Sequence, residues 1–141
     1  MFTSLDRLPG WETILGLQFE NLVLNNLKTL CPLIGLGGRL VTSAAPYVRR
    51  QGAASPGVQI DLLVQTPKSM VIVEIKRRGR IDPKVESEVQ TKVSRLRVPR
   101  GTSIRTVLVY DGILAPDVEE NGYFDYLVPI ERLFEEHGAG D

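Results

Sequence analysis

The sequence predicts an α/β protein, a mixed central β-sheet flanked by helices. Three observations carry that expectation. Apolar residues recur at helical spacing from Trp11 to Leu30. Two short, strongly apolar runs, Val58 to Gln65 and Met70 to Arg77, follow one another across a turn. A helical stretch opening at Asp82-Pro83 then separates the second run from a third, Ser103 to Tyr110. A strand–helix–strand crossover implies a parallel pair, whereas a tight turn joins antiparallel neighbours, so the sheet is mixed.

Taken in order, the first helix is framed by Pro9-Gly10 before it and Pro32 after it. Glu20 lies between Phe19 and the apolar Leu22 to Leu24, at the edge of the buried face. A Gly-rich connector, Leu33 to Gly38, leads to a first strand centred on Tyr47-Val48-Arg49. Gln51 to Gly57 is rich in Gly, Ala, Ser and Pro and reads as a loop. Thr66-Pro67-Lys68-Ser69 is the turn between the two long strands. The near-continuous apolar run of Met70 to Arg77 places that strand centrally. Asp82 is suited to cap the next helix, with Pro83 in its first turn. Its Val85, Val89, Val93 and Leu96 recur on one face, with Glu86, Lys92 and Arg95 elsewhere on its surface. Phe124 to Val128 is a last short strand, and Pro129 to Glu136 a closing helix before a Gly-rich tail at 138–141.

The chain of 141 residues is expected to form one domain with a real core. No apolar run reaches the ~20 residues that span a bilayer, and the N-terminus lacks a signal-peptide layout, so a cytoplasmic protein with no membrane partner is expected. A lone Cys31 excludes an internal disulfide, and with a single histidine it excludes a Cys/His zinc cage. The 17 basic and 17 acidic residues cancel, which argues against a binder driven by net charge alone. Their distribution is uneven. A basic block runs from Lys76 to Arg105, and the segment from Asp111 to Asp141 is acidic. The block reads either as a solvated face or as a phosphate-facing surface.

Three charged residues stand out because apolar strands have no folding reason to hold them. Strand alternation puts Ile72, Glu74 and Lys76 on one face, and Val71, Val73 and Ile75 on the other. On the preceding strand Asp61 shares a face with Leu63, while Ile60, Leu62 and Val64 point oppositely. Paired as a hairpin, the strands bring Asp61 near Glu74. Two close carboxylates repel unless a cation lies between them, and oxygen ligands suit Mg²⁺. A neighbouring lysine can orient a water. The set suits phosphodiester hydrolysis.

The run Ile60-Asp61, twelve residues, Glu74-Ile75-Lys76 resembles the core motif of the PD-(D/E)xK nuclease superfamily. Phe19-Glu20-Asn21-Leu22 is similar to the first-helix acidic position of many members. Ile60 stands where the signature has proline. The resemblance spans roughly Leu15 to Val128, and it implies a restriction-endonuclease-like α-β-β-β-α-β core. More narrowly, "FENLVLNNL", "QIDLLVQT", "VIVEIKRRGRI" and "VLVYDG" look like the C-terminal nuclease-like domain of some bacterial and archaeal P-loop ATPases. No Walker A motif is present in this chain.

The likeness implies a Mg²⁺- or Mn²⁺-dependent endonuclease acting on DNA. Asp61 and Glu74 would be metal carboxylates, with the Ile75 carbonyl as a further ligand. Lys76 would position the attacking water, and Glu20 would hold metal-bound water or a second metal. Gln90 would lie near the site as a polar support. Arg77, Arg78, Arg80 and Lys92 would contact phosphates without reading sequence. The partners implied are DNA, a P-loop ATPase domain or subunit, and a second copy of the chain through an apolar patch including Trp11 or Phe124. Two other readings of the same fold stand beside this one. One is a catalytically silent DNA-binding or partner-docking module; the other is an oligomerisation domain.

Overall fold

The computed structural model describes residues 11–134. The elements are α1 (Trp11–Leu24), α2 (Leu27–Leu33), β1 (Ser43–Arg49), β2 (Val58–Gln65), β3 (Ser69–Ile81), α3 (Lys84–Arg95), β4 (Ser103–Leu114), α4 (Pro116–Asn121), β5 (Tyr126–Pro129) and a 3₁₀ turn (Ile130–Phe134). The five strands lie in the order β1-β2-β3-β4-β5. β1, β2 and β3 form an antiparallel meander, and β3, β4 and β5 run parallel. The mixed sheet expected from the chain order is thus present, with β3 at its centre. No helix among the described residues is long and apolar enough to cross a membrane.

Alternation along β3 divides the core between two sides of the sheet. Val71, Val73 and Ile75 pack with Val23, Leu30 and Ile34 from the region of α1 and α2. Ile72 packs with Val85 and Val89 of α3 and Val118 of α4. Ile72, Val73 and Val89 are fully buried, each contributing roughly 1.5–3 kcal/mol by leaving water. That apolar surplus on both sides of β3 lets the strand also hold a buried acid.

Several boundaries differ from the sequence expectation. The first helix breaks at Asn25–Asn26 instead of running to Leu30; the Asn26 side-chain amide donates to the Leu22 carbonyl at 2.7 Å. Asparagine competes for backbone partners in this way and is a poor interior helix residue. β4 continues past Tyr110 to Leu114, because β3 also runs on to Ile81 and supplies its partner. α4 was not expected, yet Pro116 starts it and Gly122 ends it in the left-handed region at φ 62°. Among the described residues of the region read as a closing helix a 3₁₀ turn forms; the last residues of that region and the tail at 138–141 lie outside the described residues. Phe124, expected as part of an exposed patch, is buried; it meets Tyr123 edge-on at 5.1 Å between ring centroids. Its apolar ring is drawn into the core on the α3 side of the sheet. The Trp11 side chain lies outside the described part.

The face pattern of β2 also departs from simple alternation. Ala45 pairs with Leu63 but Tyr47 pairs with Ile60, so Pro46 alone faces both Asp61 and Leu62. This extra residue is a β-bulge, and Pro46, with no N–H to give, sits at the interrupted rung. Consequently Ile60 joins Leu63 in one core cluster, and Leu62 and Val64 join the other. The bulge begins at Asp61 and sets the direction of its side chain.

Candidate active site

The antiparallel ladder between β2 and β3 runs from Gln65↔Met70 to Leu62↔Val73 and stops there. The next opposed pair is Asp61 and Glu74. Here the Asp61 side chain takes over from the backbone: its Oδ2 accepts the Ile75 N–H at 2.9 Å. A cleft of about 860 Å³ opens at this fork. β2 and β3 form its floor with Asp61, Glu74, Ile75 and Lys76. Glu20 of α1 reaches it from one side, and Lys92 of α3 from the other.

Glu74 is the central group. It is 1% exposed, and each of its oxygens has a lysine partner. Lys92 Nζ donates to Oε1 at 2.8 Å, and Lys76 Nζ lies 3.4 Å from Oε2. Lys76 also donates to Glu88 Oε2 at 2.9 Å, which ties the β3 lysine to the start of the α3 polar stripe. The sequence expectation made Lys92 a phosphate contact; the helix phase turns it to the cleft, where it meets Glu74.

All three acids are held above the ordinary carboxylate range. Burial is the leading cause for each of Glu20, Asp61 and Glu74. Mutual repulsion adds to it: Asp61 raises Glu74, Glu74 raises Glu20, and Glu20 raises Asp61. The Ile75 N–H and the two lysines pull the other way without cancelling the shift of Asp61. Negative charge is therefore costly in this cleft even with two lysines present. Added positive charge would relieve it.

The donor chemistry fits a hard divalent cation in part. Among the described residues, no three His, Cys, Asp or Glu side chains converge closely enough to enclose a metal ion. Asp61 and Glu74 would supply carboxylate oxygens, and the shell would be completed by main chain and water, which is how Mg²⁺ is usually bound.

The remaining expected residues are dispersed. Arg77 is exposed and lines the cleft. Arg80 is exposed and borders a smaller cavity of about 110 Å³ with Lys84 and Glu88, past an irregularity in β3 between Arg77 and Arg80. Arg78 lies in that irregular segment, and its side chain is outside the described part. Gln90 is exposed and does not line the cleft. Two residues before Lys92, it is turned by roughly 200° from it on a helix of 3.6 residues per turn. Its expected place is taken by Thr91 and Lys92.

Sequence reading took Arg95 only as part of the basic block and passed over Arg49, Glu88 and Thr91; all four line the cleft. The signal for three of them is the polar stripe Glu88, Thr91, Lys92, Arg95, which runs beside the apolar Val85 and Val89 at helical spacing. Comparison with known proteins finds no matching family model and no matching curated relative.

Proposed function

We propose that the chain is a metal-dependent nuclease-like domain of the PD-(D/E)xK kind, with a restriction-endonuclease-like core, that hydrolyses DNA phosphodiester bonds. The observation that carries this reading is the convergence of Asp61, Glu74, Lys76 and Glu20 on one open cleft at the β2–β3 fork. A buried, doubly paired glutamate beside a second carboxylate costs stability, and structural need alone does not explain it.

A Mg²⁺ or Mn²⁺ ion held by Asp61 and Glu74 would acidify a water and offset charge on the phosphate. Asp61 is fixed for that task by its bond to the Ile75 N–H, which also brings the Ile75 main chain to the cleft. Lys76 projects into the same space and can orient the attacking water through its ammonium donors. In the reaction the water oxygen bonds to phosphorus, one P–O ester bond breaks, and the leaving oxygen takes a proton. Glu20 borders the cleft from α1 and can accept from water in the site.

Plasmid and branched DNA incubated with Mg²⁺ or Mn²⁺ should be cut by the native chain. Glu74→Ala and Lys76→Ala should abolish cutting. Cleavage unchanged in both variants removes the site assignment.

One observation favours a second reading. Lys92 and Lys76 already compensate Glu74 without a metal. A catalytically silent module, docking DNA, a P-loop ATPase or a second copy of itself, would keep such a pairing permanently. Salt-sensitive DNA binding with no metal-dependent cutting identifies that case.

A further inference from the structure

We propose that Arg49 and Arg95 form a phosphodiester-binding subsite on the wall of the cleft, engaging a nucleic-acid strand beside the acidic centre. The inference deepens the nuclease reading and rests on it for the identity of the strand.

The two arginines come from different elements, the end of β1 and the end of α3, and both line the cleft. Their side chains are fastened by neutral carbonyls. Arg49 Nη2 donates to the Pro56 oxygen at 3.0 Å and to the Arg95 oxygen at 2.8 Å. Arg95 Nη1 donates to the Gly57 oxygen at 2.8 Å. A carbonyl fixes a guanidinium without neutralising it. Among the described residues neither arginine has a carboxylate within ion-pair distance, and Arg49 Nε is buried with no hydrogen-bond partner. Each guanidinium has five N–H donors. Arg49 has spent its Nη2 on two carbonyls and its Nε is buried, which leaves Nη1 for a ligand; Arg95 has spent only a bond from Nη1, which leaves its Nε and Nη2 edge. Two positive charges held in place with these donors unspent are matched by phosphate oxygens, which accept the planar fork of Arg95 in bidentate fashion and a bond from Arg49.

The placement also gives a register. Arg95 follows Lys92 by three residues on α3, a side-chain separation of about 5–6 Å between Cβ atoms. Lys92 touches Glu74. Arg95 would therefore reach a phosphate neighbouring the one at the acids. The loop carrying Pro56 and Gly57 is held to both arginines, so it would form the outer wall over that phosphate. Adding a Cβ at Gly57 would bring it 2.9 Å from the Gln51 backbone nitrogen and 3.0 Å from the Arg49 carbonyl, so only glycine fits this close approach.

The test measures binding of a fluorescently labelled DNA duplex to the full chain in EDTA, across a series of salt concentrations. Arg49→Gln and Arg95→Gln should each bind more weakly and lower the log–log salt slope by about 0.9, the counterion yield of one phosphate. Arg49→Lys, which keeps the charge, should restore the slope even if it loosens the loop. Arg39→Gln, exposed and outside both the cleft and the basic block, should leave the slope unchanged. An unchanged slope in Arg49→Gln and Arg95→Gln overturns the subsite, as does an equal loss in Arg39→Gln or the absence of duplex binding by the native chain. Metal-dependent cutting that still requires Glu74 would then leave the nuclease reading standing without it.

Discussion

Asp61 and Ile75 are joined by a side-chain bond where the strands that carry them stop pairing: the carboxylate accepts the amide at 2.9 Å one rung beyond Leu62↔Val73. The carboxylate thus completes a ladder position and points its other oxygen elsewhere. Fold and site share this one contact, and substitutions can separate them. Asn at position 61 retains a carbonyl oxygen for the Ile75 amide. Asp61→Asn should therefore stay near native stability while metal-dependent cleavage drops by about 10²-fold or more. Asp61→Ala strands the amide and should also lose about 1–3 kcal/mol in urea unfolding. Equal stability loss in both variants would show that the contact is not what holds the fork.

The three acids of the cleft make a signed prediction about pH. Their folded-state pKa values lie above the ordinary 3.8 of Asp and 4.5 of Glu. A carboxyl shifted upward binds more protons folded than unfolded over that interval, so its effect on stability worsens as pH rises. Compared with Glu74→Gln, the native chain should lose stability as pH climbs from about 4.5, levelling off above the raised pKa. Mg²⁺ or Mn²⁺ should reduce the loss. Urea titrations of both proteins across pH, with and without the ion, measure the difference directly. A native chain that gains stability relative to Glu74→Gln as pH rises contradicts the repulsion inferred for the cleft.

Most of the frame was legible in the sequence because apolar periodicity reports burial. The β2–β3 hairpin, the α3 crossover and the two faces of β3 were all readable from Val, Ile and Leu spacing. Asp61, Glu74, Lys76 and Glu20 were conspicuous for the same reason, being charges in apolar settings. The bulge at Asp61–Leu62 was not legible. It depends on the pairing of β2 with β1, a long-range relation that leaves no local pattern beyond Pro46. The break at Asn25–Asn26 had a local signal, but the strong leucine pattern on either side outweighed it. The pairing of Lys92 with Glu74 was not legible because the valines of α3 fix the buried stripe without saying which polar flank meets the sheet. Arg49 was hidden by its position at a strand end, where only the fold shows that β1 borders the cleft.

Gly35 offers a test of the fold away from the chemistry. It follows α2 at φ 78°, and a Cβ there would lie 2.5 Å from the Tyr126 hydroxyl oxygen. Gly35→Ala combines a left-handed backbone cost of about 1–2 kcal/mol with overpacking against β5. Thermal unfolding should fall by several degrees, with DNA cleavage at low temperature unchanged. A neutral effect would mean that the α2–β1 connector moves freely away from Tyr126.

Lys92 is the residue on which the active and silent readings diverge. Its ammonium is 2.8 Å from Glu74 Oε1. If the lysine stands in for metal charge, removing it should have two opposite effects. Without divalent ion, Lys92→Met leaves Glu74 with Lys76 alone; the cost should be about 1–3 kcal/mol, below that of a wholly stranded buried charge. With ion present, a competitor has gone, and Mn²⁺ should bind about tenfold more tightly or better, since like charges a few ångströms apart oppose each other by about 1–4 kcal/mol near a protein surface. Isothermal titration with Mn²⁺ alone reads the second effect without any nucleic acid. Loss of stability with no gain in Mn²⁺ affinity would assign the Lys92–Glu74 pair to structure, and the cleft to binding without catalysis.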